Sequence, residues 1–208
     1  MLATMMPQNN HAATPATHQP MLRVLCRSAA QVHAALRCDW LEEVIVDFLE
    51  VHGLKDAVNA VQAAGRRCVV ATPRVLKPDE QRLWRFYLGL KADALLVRSA
   101  GMLMALLELG GPGAPLEDPP ATIPALEGDF SLNTANAVTA QYFLQSIGLT
   151  RLAPTHDCNA AQIAGMAQRL GSGSNLEVIL HQHLPIFHTE HCVFARFLSE
   201  VCRCDGAC

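Results

Sequence analysis

The sequence lacks a long apolar run, an excess of basic charge and an export signal. No stretch approaches the roughly 18 consecutive apolar residues of a membrane-spanning helix. Sixteen Lys and Arg against 19 Asp and Glu give a formal net charge of −3, so any nucleic-acid binding must use a local basic patch. Residues 1–20 contain no Arg or Lys, and they lack the basic and apolar regions of a secretory signal.

We expect residues 1–20 to form a disordered tail and residues 21–208 to form one domain. Half of the chain is hydrophobic, which is enough for a sizeable core. Eight cysteines without an export signal indicate a reducing compartment, where thiols bind metal or stay free. The expected location is therefore the cytoplasm or an organelle stroma or matrix, and not the secreted space.

Short apolar runs alternate with helical patterns along the chain from Met21. At least six helices separate seven predicted strands, which lie near 22–26, 44–49, 67–72, 94–98, 123–129, 151–155 and 176–182. Such alternation is typical of a parallel sheet, either an open doubly wound sheet or a closed (β/α) barrel. No glycine-rich phosphate loop follows the first strand, and this favours the barrel.

A TIM-like barrel closes with eight strands and typically about 250 residues. The fold prediction is therefore an α/β barrel that is incomplete, with about seven βα units, and with a missing C-terminal segment or a partner subunit. Residues 110–122 are rich in proline and glycine, and they predict an exposed loop without site residues. Asn133 or Thr134 is expected to cap a helix that runs to about Ile147, and Asn159 to start the next helix.

The active site of such a barrel lies at the carboxyl ends of its strands. Polar residues follow the predicted strands at Arg27, Asp47, Arg74, Arg98, Asp129, Asn133, His156, Asp157, His188, Glu190, His191 and Cys192. The three arginines are candidates to hold a carboxylate or a phosphate by bidentate contacts. Asn133 and Asp157 are also candidate helix caps, and Asp47 is a candidate partner for an arginine.

Four cysteines are concentrated near the end of the chain, at Cys192, Cys202, Cys204 and Cys208. Thiolate sulfur suits zinc, copper(I) and iron–sulfur clusters. Zinc ligands commonly come in pairs with two to four intervening residues, whereas Cys202 and Cys204 have one residue between them. An iron–sulfur cluster tolerates irregular spacing, so we favour it and keep zinc as the alternative.

Two segments resemble the cysteine motif of the collagenase-like peptidase family U32, namely PIFHTEHCVFARFLS (185–199) and CDGAC (204–208). The family's Asp–Ser–Leu–Asn segment, with the strand and helix after it, resembles GDFSLNTANAVTAQYFLQSIGLTRLAPTHDCNAAQI (128–163). The barrel half of its longer members resembles LRVLCRSAAQVHAALRCDWLEEVIVDFLEVHG (22–53) and VVATPRVLKPDE (69–80). The resemblance covers roughly residues 22–208.

This resemblance implies a (β/α) barrel with a 4Fe–4S cluster. The implied metal ligands are Cys192, Cys204 and Cys208, with Cys202 as a further candidate. The implied catalytic residues are His188, Glu190, His191, Asp129 and His156. The residues expected to bind a cosubstrate are Arg27, Arg74, Arg98 and Asn133.

The resemblance also implies a function. Some relatives hydroxylate nucleotides of transfer or ribosomal RNA using prephenate, others hydroxylate a quinone precursor, and others are described as collagenases. The leading hypothesis is RNA hydroxylation. One alternative is a metal-dependent peptidase, although the sequence lacks the two-histidine helix of zinc proteases. The other is a non-catalytic truncated barrel that acts as a partner subunit.

Overall fold

The computed structural model describes residues 21–77, 79–116, 121–171, 173 and 175–183. The chain divides into two compact units, residues 1–178 and residues 179–208. The elements below belong to the first unit. The predicted tail, 1–20, lies outside the described residues. None of the helices in the described ranges combines the length and apolar character that a bilayer crossing requires.

The described ranges contain eight strands and six α-helices. The strands are β1 (Val24–Cys26), β2 (Glu43–Val46), β3 (Arg67–Ala71), β4 (Ala94–Val97), β5 (Pro115–Leu116), β6 (Ala121–Thr122), β7 (Ala125–Gly128) and β8 (Arg151–Leu152). The helices are α1 (Ala29–Ala35), α2 (Leu54–Ala63), α3 (Gln81–Gly89), α4 (Ala100–Glu108), α5 (Ala137–Gln141) and α6 (Ala160–Arg169).

Six strands form one parallel sheet in the order β1-β2-β3-β4-β7-β8. The sheet curls into a half-barrel. Each crossover carries a helix, as parallel strands require. The prediction of a parallel α/β fold with a partial barrel is confirmed, and six of the seven predicted strands form within it.

The two faces of the sheet bury different layers because side chains alternate along a strand. On the outer face, residues such as Val44, Val70 and Leu95 pack with helix residues such as Val58 and Met102 in the main core. On the inner face a smaller apolar cluster is formed by Ile45, Val69, Ala71, Ala94 and Leu96, with Ala125 against it. This inner cluster fills the middle of the half-barrel and leaves charged residues above and below it.

The seventh predicted strand, 176–182, is absent from the described residues. Leu176 makes a single parallel bridge to Leu152 on β8, and residues 177–183 have no strand geometry. Val178 is 49% exposed and Leu180 is 78% exposed. A strand is stabilised by packing of its side chains, and these side chains bury little surface.

The capping prediction was wrong for one helix and right for another. Asn136, rather than Asn133 or Thr134, accepts the capping bond at α5, and residues Tyr142–Ser146 continue as a π-helix. Asn133 has a φ of 56° and ends a 3-10 turn at Phe130–Leu132. Asn159 caps α6 through a capping box, as expected. The segment 110–122 is not a plain loop, because β5 and β6 pair antiparallel within it.

Candidate active site

Charged residues follow four strands at the carboxyl edge of the sheet. Arg27, Asp47, Arg98 and Asp129 each come directly after the last residue of β1, β2, β4 and β7. Side chains alternate between the two faces of a strand, so residues an even number of positions apart lie on the same face. Each of these four residues is an even number of positions from an inner-face residue of its own strand. All four therefore project toward the inside of the half-barrel. Arg74 joins them from the loop after β3. We call these five residues the carboxyl-edge site.

Arg98 lies between the two carboxylates of the carboxyl-edge site. Its Nη1 donates to Asp47 Oδ1 over 2.7 Å and its Nη2 donates to Asp47 Oδ2 over 2.6 Å. Its Nε lies 3.7 Å from Asp129 Oδ2. The side chains of Arg98 and Asp47 are each 9% exposed. A buried bidentate pair of this kind fixes the orientation of the guanidinium.

Asp129 is positioned by its own loop. It is 4% exposed, its backbone N–H donates to the Val97 carbonyl over 3.0 Å, and Ser131 Oγ lies 2.9 Å from Asp129 Oδ2. The same hydroxyl oxygen lies 2.8 Å from the carbonyl oxygen of Arg98. Ser131 therefore links the loop after β7 to the end of β4.

Arg27 and Arg74 interact more weakly than Arg98 with the carboxylates of the site. Arg27 Nε lies 3.5 Å from Asp47 Oδ2, and its side chain is half exposed. Arg74 makes no ion pair with a carboxylate in the part of the chain that the structure describes. Burial, followed by the positive charge of Arg98, lowers the pKa of Arg74. Three guanidinium groups thus face two carboxylates, which leaves a surplus of one positive charge.

An aromatic pair extends the site beyond the charges. The Arg74 Cζ atom lies 5.0 Å from the centre of the Phe130 ring. The His156 ring stacks on the same phenyl ring, with 4.0 Å between centroids and a tilt of 35°. Phe130 is half-buried and His156 is exposed. The phenyl ring therefore joins a cation to an accessible imidazole.

The structure brings together most of the described residues that the sequence predicted for the site. Arg27, Arg74, Arg98 and Asp129 converge, and His156 joins them through Phe130. Asn133 is exposed and ends the Phe130–Leu132 turn with a φ of 56°. The remaining predicted residues lie outside the described residues: His188, Glu190, His191, Cys192, Cys202, Cys204 and Cys208. Within the described ranges no group of three or more His, Cys, Asp or Glu is arranged to hold a metal ion.

The sequence predicted Asp47 as a strand-end site residue with a candidate arginine partner, and the structure pairs it with Arg98. The sequence indicated no role for Phe130 or Ser131. The strand-end position and alternation of Asp47 were the signal that it faces the site. Phe130 and Ser131 follow Asp129 directly, but stacking and hydrogen bonding within one turn have no sequence pattern of their own.

A second charged layer lies at the amino end of the half-barrel. Its members are Arg23, Glu43, Arg67, Glu127, Arg151 and Glu177, and we call it the amino-end network. Arg67 Nη1 lies 2.8 Å from Glu127 Oε1, and Arg151 Nη1 lies 2.6 Å from Glu43 Oε1. Three positive and three negative groups balance each other here, in contrast to the surplus at the carboxyl edge.

Glu43 shows how this network holds buried charge. Burial alone raises the pKa of its carboxyl, but hydrogen bonds and charges from Arg23 and Arg67 outweigh burial and lower the pKa below the ordinary 4.5. The residue is 2% exposed. Glu43 is therefore a structural anion, and the charges of the six described residues of the amino-end network balance one another.

Comparisons with known proteins give one informative match. No family model matches the sequence, and no curated protein matches it. A solved structure, that of the U32 peptidase Mk0906, aligns with 83% of this chain and 73% of its own chain, at 13% sequence identity and a TM-score of 0.57. At this identity the likeness concerns the fold alone. The chain is therefore built on the fold of a U32 peptidase.

Proposed function

We propose that the chain is a U32-family enzyme that binds an anionic cosubstrate at the carboxyl-edge site and takes part in hydroxylating RNA nucleotides. The observation that carries this proposal is Arg74, a half-buried guanidinium without a carboxylate partner among the described residues. It lies at the edge of a barrel sheet where active sites form. The U32-like fold and the cysteine-rich segment support the choice of reaction class.

The described residues supply binding and orientation. Asp47 and Asp129 hold Arg98 in one orientation, so its guanidinium group is a fixed positive charge in the site. Arg27 and Arg74 retain donors for an incoming carboxylate. Prephenate carries two carboxylates, and guanidinium groups bind such groups by paired hydrogen bonds.

The cluster is proposed from the chemistry of its donors. Cys192, Cys204 and Cys208, with Cys202 as a further candidate, would hold the 4Fe–4S cluster, because iron–sulfur clusters are bound by thiolates. Zinc remains the alternative metal for the same sulfurs. When bound, the cluster supplies one-electron chemistry. His188, Glu190 and His191 are the proposed catalytic groups beside it.

The test is an anaerobic assay on the full chain reconstituted with iron and sulfide. Unmodified transfer or ribosomal RNA is incubated with and without prephenate, and hydroxylated nucleosides are measured by mass spectrometry. We expect a product that depends on prephenate, that disappears in Arg74→Gln and that persists in Arg82→Gln, a change of an exposed arginine on α3. Absence of product from the wild-type chain would contradict the proposal.

Peptidase activity is the second candidate, because the matching structure is described as a U32 peptidase. Both described carboxylates of the site are engaged by Arg98, so a hydrolytic acid or base would have to be another residue. Cleavage of denatured collagen by the same preparation, without RNA hydroxylation, would favour this candidate. A preparation inactive in both assays that gains activity with a second subunit would instead favour the partner-subunit function.

A further inference from the structure

We infer that the amino-end network borders a second binding site, which takes a small zwitterion such as a free amino acid. The site is a cavity of about 690 Å³ at the amino ends of β2, β3 and β8. Residues of both charges line it, among them Asp39, Glu42, Arg67 and Arg151. It lies at the opposite end of the sheet from the carboxyl-edge site, and it does not rest on the proposed function.

Two arginines line this cavity and keep hydrogen-bond donors for a ligand. Arg67 Nη1 binds Glu43 and lies 2.8 Å from Glu127 Oε1. Arg151 Nη1 lies 2.6 Å from Glu43 Oε1. Neither guanidinium donates a hydrogen bond from Nε or Nη2 to any residue that the structure describes, and the two side chains are 33% and 27% exposed. Both groups are therefore held at one end, and their other donors remain for a carboxylate.

Two carboxylates belong to the wall of the same cavity. The backbone N–H of Arg67 donates to the Glu42 carbonyl oxygen over 3.0 Å, so these two residues are neighbours. Glu42 and Asp39 are both exposed. Arg66 Nη1 donates to the Cys38 carbonyl oxygen over 2.8 Å, which fixes the turn that carries Asp39. An ammonium group can therefore meet a carboxylate without leaving the cavity.

The balance of charge decides the class of ligand. Three acidic and three basic described residues line the cavity, namely Asp39, Glu42, Glu43, Arg66, Arg67 and Arg151. A simple anion or a simple cation is attracted by one set and repelled by the other, whereas a molecule with both charges pairs with each. Met21, which is 44% exposed, and Ala64 also line the cavity. They offer apolar surface to the hydrocarbon part of such a molecule.

Calorimetric titration of the full chain with free leucine tests this site. N-acetyl-leucine lacks the ammonium charge and leucinamide lacks the carboxylate, while both keep the hydrocarbon part. We expect leucine to bind saturably and roughly tenfold more tightly than either derivative, because each derivative loses one charge-assisted contact.

Variants assign the two charges of the ligand to their partners. Asp39→Asn combined with Glu42→Gln should weaken leucine binding about tenfold and leave N-acetyl-leucine binding unchanged. Both residues are exposed, so this variant should fold normally. Arg151→Lys keeps a positive charge beside Glu43 but loses the guanidinium donors, so it should weaken leucine and N-acetyl-leucine alike and spare leucinamide. Arg37→Gln, a change of an exposed arginine after α1, should alter none of the three affinities.

Equal affinity for the three compounds, or no binding of leucine, would overturn the inference and leave the carboxyl-edge site standing. A preference for leucine over N-acetyl-leucine that survives in the Asp39→Asn, Glu42→Gln variant would also overturn it. Loss of leucine binding in Arg74→Gln would overturn it as well, because the amino acid would then bind at the carboxyl edge.

Discussion

Arg23 and Glu177 form an ion pair inside the half-barrel although they stand at opposite edges of the sheet. Arg23 directly precedes β1, the first edge strand, and Glu177 follows Leu176, which bridges to β8 at the other edge. Arg23 also reaches Glu127 on β7, with 2.5 Å between Nη1 and Oε2. The amino-end network therefore joins strands that are not neighbours and stabilises the curvature of the sheet.

The network predicts an acid-sensitive stability that depends on Glu43. Its lowered pKa means that its stabilising contribution is present above the ordinary value of 4.5 and is lost as pH falls through the folded-state pKa. Glu43→Gln should cost about 3 kcal/mol at pH 7, because it leaves buried arginine charge uncompensated. The difference in unfolding free energy between wild type and Glu43→Gln should shrink between pH 7 and pH values well below 4.5.

Urea titrations at several pH values measure this difference. The neighbouring Glu42→Gln is the control, because Glu42 is exposed and its loss should change stability by less than about 0.5 kcal/mol at any pH. If the difference in unfolding free energy between wild type and Glu43→Gln stays constant or widens in acid, the network does not stabilise the ionised carboxyl.

Two arginines of the carboxyl-edge site should separate into a structural and a binding role. Arg98→Gln removes the partner of Asp47 and Asp129, which are both buried, and should cost about 3–5 kcal/mol of unfolding free energy. Arg74→Gln breaks no described ion pair and should cost less than about 1 kcal/mol. Denaturant unfolding of both variants decides the matter, and equal losses would contradict this division.

Features that depend on neighbouring residues in the chain could be predicted from the sequence, whereas contacts between residues far apart in the chain could not. Val44, Val70 and Leu95 lie in apolar runs, and those runs located their strands correctly. Arg98 and Asp129 were predicted as site residues because parallel strands end at one edge, and the structure brings the two side chains together there. Alternation alone makes their shared inward direction predictable.

Contacts across the half-barrel could not be predicted from the sequence. Arg23 and Glu177 are separated by 154 positions, and their pairing depends on the curl of six strands, which no local pattern encodes. The helix start was missed for a different reason. Asn133 and Asn136 are both good caps, and only the turn that places Asn133 at positive φ decides between them.

Gly128, the last residue of β7, should not tolerate a larger side chain. A Cβ atom there would lie 2.5 Å from Leu152 Cδ1 and 3.0 Å from Leu132 Cδ1. Gly128→Ala should therefore cost about 1–3 kcal/mol through overpacking, and it should weaken anion binding because Asp129 follows directly.

Gly165 on α6 provides the matched control, since nothing lies within 4 Å of an added Cβ. Gly165→Ala should leave anion binding unchanged and raise stability by up to about 1 kcal/mol, because alanine favours a helix over glycine. Thermal unfolding compares the two variants, and a neutral Gly128→Ala would mean that the end of β7 is looser than these distances indicate.

The proposed cluster predicts a spectroscopic difference between cysteines. Protein purified without oxygen should be brown, with iron and sulfide in the proportions of a 4Fe–4S cluster, and Cys192→Ser should abolish the colour because a thiolate ligand is lost. Cys38→Ser, a change of a half-buried cysteine after α1, should leave the colour unchanged. Protein that binds one zinc ion tightly and never iron would contradict the hydroxylase proposal.

Calorimetric titration of the full chain with prephenate tests most directly whether the carboxyl-edge site binds an anionic cosubstrate through Arg74. We predict saturable binding to wild type and to Arg82→Gln, and binding at least about tenfold weaker in Arg74→Gln, as expected for loss of a charge-assisted contact. Equal affinity in all three proteins, or no binding to the wild type, would contradict this role of Arg74.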